Sequence, residues 1–187
     1  MSDVAVRRLG PADWMLLRDL RLRALSDAPT AFASTYDNER LLTDDDWRER
    51  LARPGRVSVY ASLGGQPAGI AGGYIPDSGH VEVVSMWVAP GARGRGVGDA
   101  LVEEVVSWAR EHGVPELRLW VTRGNEQAEH LYERHGFERD GKVKPLPSNP
   151  CVDEIGMRRV LSEDHRERDR STGIRKDEQL RHRGRCC

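Results

Sequence analysis

From Val81 to Gly113 the sequence passes from an apolar run, through a glycine-rich turn, into a helical repeat, and this succession restricts the fold more than any other stretch. Val81 to Val88 is rich in β-branched residues and short enough for a buried strand. Pro90 and Gly91 end it, and Arg93-Gly94-Arg95-Gly96-Val97-Gly98-Asp99 follows. From Val97 the apolar residues fall into a helical period: Val97, Leu101, Val105 and Ala109 share a face, flanked by Val102 and Val106. Gly113, after His112, reads as the C-terminal stop. Strand, glycine turn and helix in that order gather free backbone N–H groups and the positive end of a helix at one spot. Such a spot binds anions, phosphate most commonly. The glycines let backbone approach phosphate closely, and Arg93 and Arg95 add charge.

The two common nucleotide loops fit this turn poorly. A Walker A loop ends in Gly-Lys-Ser/Thr, which is missing here. A dinucleotide fingerprint needs its third glycine where Asp99 stands, and belongs to a first βα unit, whereas this turn is mid-chain. What fits is Arg-x-x-Gly-x-Gly, read from Arg93 through Gly96 to Gly98, with Val88-x-Pro90 before it and Leu101 after it. This resembles the coenzyme A pyrophosphate loop of the GNAT superfamily of N-acetyltransferases. A second stretch also resembles that family: Asn125-x-x-Ala128-x-x-Leu131-Tyr132-x-x-x-Gly136-Phe137. The resemblance covers residues 4 to 161. It implies an α/β (α+β) fold, one GNAT-like domain with a mixed central sheet of about six to seven strands flanked by about four helices.

Patterning along the chain gives the same order of elements. Val4 to Leu9 reads as a strand, broken by Gly10-Pro11. A helix from Pro11–Asp13 to Leu25 carries Trp14, Leu17, Leu20 and Ala24 inward, with Arg18, Asp19, Arg21 and Arg23 outward. Ala31 to Leu42 reads as a second helix with Phe32 and Tyr36 on one face. Thr43 with Asp46 caps a short helix over Asp44 to Ala52. Val57 to Leu63 and Pro67 to Ile75 form a hairpin about Gly64-Gly65. After the central helix come a strand (Leu117 to Val121), a helix (Asn125 to His135) and a strand (Phe137 to Val143). A proline-rich loop (Lys144 to Pro150) and a last strand (Cys151 to Val160) complete the domain.

At 187 residues the chain suits one domain with a single core. A net charge of −1 gives no global attraction to nucleic acid or to an anionic membrane. No apolar run reaches the roughly 20 residues of a membrane span. The first residues lack the apolar stretch of a secretory signal, and three cysteines make no disulfide framework, so a cytoplasmic protein is expected, as monomer or homodimer. Residues 162–187 change character: eight Lys/Arg, six Asp/Glu, and Ile174 and Leu180 almost alone as aliphatics. That composition reads as a flexible tail after a domain of residues 1–161.

Acylating an amine from a thioester requires removing a proton from the ammonium, holding the carbonyl oxygen and letting the thiolate leave. Glu82 is the candidate base. It lies eleven positions before Arg93, where some GNAT enzymes keep a glutamate, and half-burial on a strand would raise its pKa. A polar-face glutamate is the alternative, with His80 as a second possible base. The resemblance implies that the central strand splays near its end, so that main chain at Met86, Trp87 and Val88 holds the pantetheine arm and the carbonyl. It also gives Tyr132 the role of acid toward the thiolate, places Arg93, Gly94, Arg95, Gly96, Val97, Gly98 and Asp99 on the pyrophosphate, and sets Asn125 against the cofactor arm. By residue type Asn125 is equally a helix cap. Phe32, Tyr36 and the Lys144–Pro150 loop are expected to flank the acceptor. The expected reaction takes acetyl-CoA as cosubstrate, needs no metal, and acetylates a small-molecule amine or a peptide terminus or lysine. A CoA-binding module without turnover is the competing class.

Overall fold

A computed structural model describes residues 3–161. The charged segment 162–187, expected to be a flexible tail, lies outside the described residues. Seven strands form one sheet in the order β1-β2-β3-β4-β5-β7-β6: β1 (Val4–Arg8), β2 (Arg56–Leu63), β3 (Gln66–Tyr74), β4 (Val81–Val88), β5 (Glu116–Thr122), β6 (Glu138–Leu146) and β7 (Asn149–Val160). All neighbours are antiparallel except β4 and β5, whose parallel pairing is made possible by a crossover helix. Five helices cover the sheet: α1 (Trp14–Asp27), α2 (Tyr36–Glu39), α3 (Asp44–Ala52), α4 (Val97–Glu111) and α5 (Glu126–Arg134). Among the described residues no helix is long and apolar enough to cross a membrane.

Local chemistry explains the element ends. Gly64 and Gly65 both have positive φ (58° and 75°), the geometry of a two-residue hairpin between β2 and β3. Thr43 and Asp46 form a reciprocal capping box at the start of α3.

The crossover helix α4 packs on one face of β2, β3 and β4 and buries the stripe read from the sequence, Val97, Leu101, Val102, Val105, Val106 and Ala109. The glycines of β3 make that approach close. A Cβ on Gly69 would lie 2.7 Å from the Trp87 carbonyl oxygen, and one on Gly73 3.2 Å from Val105. Truncating fully buried Leu101 to Ala would cost about 2–5 kcal/mol through lost transfer energy and a cavity. Helix α5 shares this face, with Tyr132 edge-on to Phe137 at 5.7 Å. The opposite face is covered by α1, where Leu20, Ala24, Leu25 and Phe32 pack with Ile70 and Trp87, and by α3 through Trp47.

Three expectations are corrected. Ala31 to Leu42 is not one helix. Thr35 accepts a hydrogen bond from Asn38 N and starts the single turn α2, leaving 31–34 as bends that bury Phe32 and expose Tyr36. The Lys144–Pro150 loop shrinks to Pro147-Ser148, because Leu146 pairs with Asn149 and its side chain is fully buried. Pro145 is tolerated because β6 is an edge strand. Arg21 does not face solvent; it is buried against Glu39.

Candidate active site

The glycine turn delivers an open helix end. Gly94 (φ 71°) and Gly96 (φ 82°) are both left-handed, and Gly96 is the N-cap of α4 with no side-chain capping bond. The first amides of the helix therefore point outward without a capping acceptor. Outside Gly94 and Gly96 a Cβ would meet nothing within 4 Å, so these bare backbones border free space. A Cβ on Gly98 would come within 3.1 Å of Leu131, so this glycine serves helix packing as well. Val97 turns its side chain into the core.

The charged residues of the turn divide their roles. Arg95 is exposed and has no salt-bridge partner among the described residues. Arg93 donates from Nε to the Val88 carbonyl oxygen at 3.0 Å and pairs with Asp27, which also accepts from Trp87 Nε1 at 2.9 Å. It thereby straps the turn to the end of α1. Asp99 takes Arg134 and His135 Nε2, each at 3.0 Å. Burial works against its ionisation, but the hydrogen bonds from His135 and Arg134 outweigh it and hold the carboxyl below its ordinary range.

The end of β4 stays paired with β3 across a bulge but parts from β5. Gly72 pairs with Val84 and Ile70 with Trp87, so two residues of β4, Ser85 and Met86, stand opposite Ala71 alone. This bulge holds Ser85 at φ 57°, a strained value for a side chain with a Cβ. On the other side, pairing with β5 stops at Val83 and Leu119, although both strands run further. Main-chain groups from Val84 to Val88 on that side have no strand partner. Met86 and Val88 pack toward α4 and Trp87 toward α1, which leaves their main chain as the part able to meet a ligand.

Glu82 lies across from Tyr74 on β3 and Arg118 on β5, with 13% of its side chain exposed. His80 Nε2 is 3.1 Å from Glu82 Oε2, and His80 Nδ1 is 3.0 Å from Ser78 Oγ, so the three form a chain leading to the surface. Burial, and then the charge of Glu82, push the Tyr74 phenol up. Burial also pushes the Glu154 carboxyl up, against the pull of Lys144, whose Nζ is 3.7 Å away and 4.0 Å above the Trp120 ring. Tyr132 is buried on the α4 side, and burial pushes its phenol well above the ordinary range. Asn125 caps α5, its Oδ1 accepting from Ala128 N at 3.2 Å.

On the face away from α4 a cavity of about 340 Å³ opens over β2, β3 and β4 and is bordered by Val84 and Ser85 of the bulge. Its wall contains Arg21 and Glu39, 7% and 5% exposed. Glu39 accepts from Arg21 at 2.8–3.2 Å and from Arg50 at 2.9 Å. Burial opposes ionisation of Glu39, but the two guanidiniums prevail and hold it below the ordinary carboxylate range. Arg21 Nη1 also reaches Ser85 Oγ at 3.4 Å. The segment with Phe32 meets the far strands: Thr122 Oγ1 donates to the Thr30 carbonyl oxygen at 2.8 Å, and Ser148 Oγ to that of Phe32 at 2.5 Å. Phe32 itself lies in the core beneath Arg21, while Tyr36 stands 43% exposed at the rim. Glu39, Ser85, Ser78 and Glu154 escaped the sequence reading, and Arg21 reads there as solvent-facing. None lies in a recognisable motif, and only the fold brings Arg21, Glu39 and Ser85 to one cavity and Ser78 to His80 and Glu82.

The sequence profile of the acetyltransferase (GNAT) family matches residues 18–137. A mycothiol acetyltransferase of Beutenbergia cavernae is 31% identical over 123 residues, 63% of this chain and 39% of that protein. A streptothricin acetyltransferase of Streptomyces lavendulae is 35% identical over 94 residues, half of each chain. The chain thus spans half or less of the length of these two relatives. A GCN5-related N-acetyltransferase from Kribbella flavida superposes with a TM-score of 0.68 at 27% identity, over 85% of this chain and 98% of that one.

Proposed function

The chain belongs to the acetyltransferase (GNAT) family, and from that premise we propose that it transfers an acetyl group from acetyl-CoA to a primary amine. The observation that carries the reading is the open N-terminus of α4 beside the end of β4, which is unpaired on its β5 side. Bare amides at Gly94–Gly98 suit a pyrophosphate, and Arg95 adds a free charge. The main chain of Met86–Val88 then lies where a thioester carbonyl needs donors.

On this reading the acceptor's ammonium gives a proton to Glu82, which shares it with His80 and, through Ser78, with solvent. The nitrogen attacks the thioester carbon, the new C–N bond forms, and the C–S bond breaks. Tyr132, kept neutral by burial, supplies the proton that the thiolate takes and regains one from the nitrogen, which sheds its second proton as the amide forms. Arg93 and Asp99 act by bracing the turn against α1 and α5. Asn125 acts as a cap.

Two measurements on the purified protein test this. Calorimetry should give heat with CoA and with acetyl-CoA, and a panel of amines should release free thiol. Heat without thiol release on any amine would make the protein a CoA-binding module. Absence of heat would remove the pyrophosphate assignment itself.

A further inference from the structure

We propose that the cavity beside the β4 bulge is an anion subsite, so that the preferred acceptor is a small primary amine that also carries a carboxylate. This rests on the transferase reading and names its substrate class. Hydrogen-bond capacity decides the sign. Three carboxylates line the cavity, and each is already engaged. Glu39 is held by Arg21 and Arg50, Asp46 by the Thr43 amide and hydroxyl, and Glu49 by Arg53. The guanidiniums lining it are in excess. Each has five N–H donors. Arg50 spends one hydrogen bond on Glu39 and shares that carboxylate with Arg21, so the group of three carries a net positive charge. Arg56 has no carboxylate within 4 Å among the described residues, and its guanidinium lies 4.8 Å over the Tyr74 ring.

The layout also sets a length. Arg56, Tyr74 and Glu82 are register partners on β2, β3 and β4, so they form one row across the sheet. Strands are about 4.8 Å apart, which places the ends of that row about 10 Å from each other. An acceptor with its carboxylate at Arg56 and its amine near Glu82 and Ser85 therefore needs several carbons between the two groups. The Tyr74 ring floors the middle of that row, and in the adjoining row, Ser58-Gly72-Val84, Gly72 presents no side chain. A Cβ there would meet the Val57 carbonyl oxygen at 3.2 Å.

Calorimetry with CoA present, using 6-aminohexanoate and its uncharged match hexylamine, tests the subsite without needing turnover. The carboxylate should tighten binding about tenfold. Arg56 is exposed, so Arg56→Met should fold normally, erase that advantage and leave hexylamine affinity unchanged. Arg56→Lys should restore part of it. Equal affinity for the two amines in the unaltered protein, or an advantage that survives Arg56→Met, overturns the proposal. Thiol release measured alongside separates the two readings. A carboxylate advantage in binding with no thiol released from any amine leaves the subsite standing and removes the transferase, whereas thiol release with no advantage does the reverse.

Discussion

The two faces of the bulged strand β4 are built from different materials. On the α4 side the site consists of backbone: bare glycine amides at a helix end and an unpaired strand edge. On the α1 side it consists of side chains drawn from distant segments, with Arg21, Glu39, Arg50, Arg56 and Ser85 around one cavity. Backbone suits a constant ligand group such as a phosphate, because only a change to proline removes a backbone N–H. Side chains suit a ligand that differs between members, because each can change without disturbing the sheet. The contrast predicts that damage to one face should leave the other's binding intact.

The largest effect is expected at Gly96. A β-branched residue at φ 82° is strained, and its side chain would fill the space in front of the amides. Gly96→Val should weaken CoA binding by about 100-fold or more, read by calorimetry. Retained affinity would break the assignment of the backbone face.

Next is the buried ion group. Glu39→Gln leaves Arg21 and Arg50 facing a neutral amide, and should cost about 3 kcal/mol in denaturant unfolding while CoA affinity stays put. The carboxyl of Glu39 is depressed in the folded protein, so its stabilisation is present above the unfolded-state pKa. It should be lost as pH falls through the still lower folded value. Acid unfolding of Glu39→Gln should accordingly show a weaker pH dependence in that window than the unaltered protein.

A smaller effect belongs to Tyr132, which stands on the backbone face yet acts by its side chain. Tyr132→Phe should lower turnover by about tenfold to a hundredfold, with CoA affinity nearly unchanged. An unaltered rate would leave the tyrosine as core packing against Phe137. The smallest belongs to Asn125. If it only caps α5, Asn125→Ala should cost about 1 kcal/mol of stability and leave CoA affinity as it was. A selective loss of CoA affinity would give it a contact with the ligand instead.

The same contrast separates what was legible in the sequence from what was not. Strand β4, the turn and α4 are contiguous, and their signals are local: an apolar run, paired glycines, a period of 3.6 residues. The capping box at Thr43 and the cap at Asn125 were legible for the same reason. The segment 31–42 misled because Phe32 and Tyr36 have helical spacing, whereas Thr35 restarts the chain between them. Arg21 misled because a lone arginine on an amphipathic helix reads as solvated until its partner, 18 residues on, is known. In the region 144–150 the prolines suggested a loop, but pairing with β7 overrode them at a sheet edge.

The sequence alone determined most of the elements, their order and the glycine turn before α4, because hydrogen bonding within a turn or helix depends on neighbours a few residues away. Tertiary structure decided the early parting of β4 from β5, the strained Ser85, and the company that Glu39 and Arg56 keep. Those features depend on register between strands and on which charges share a cavity, and residues far apart in the chain carry no local sign of either.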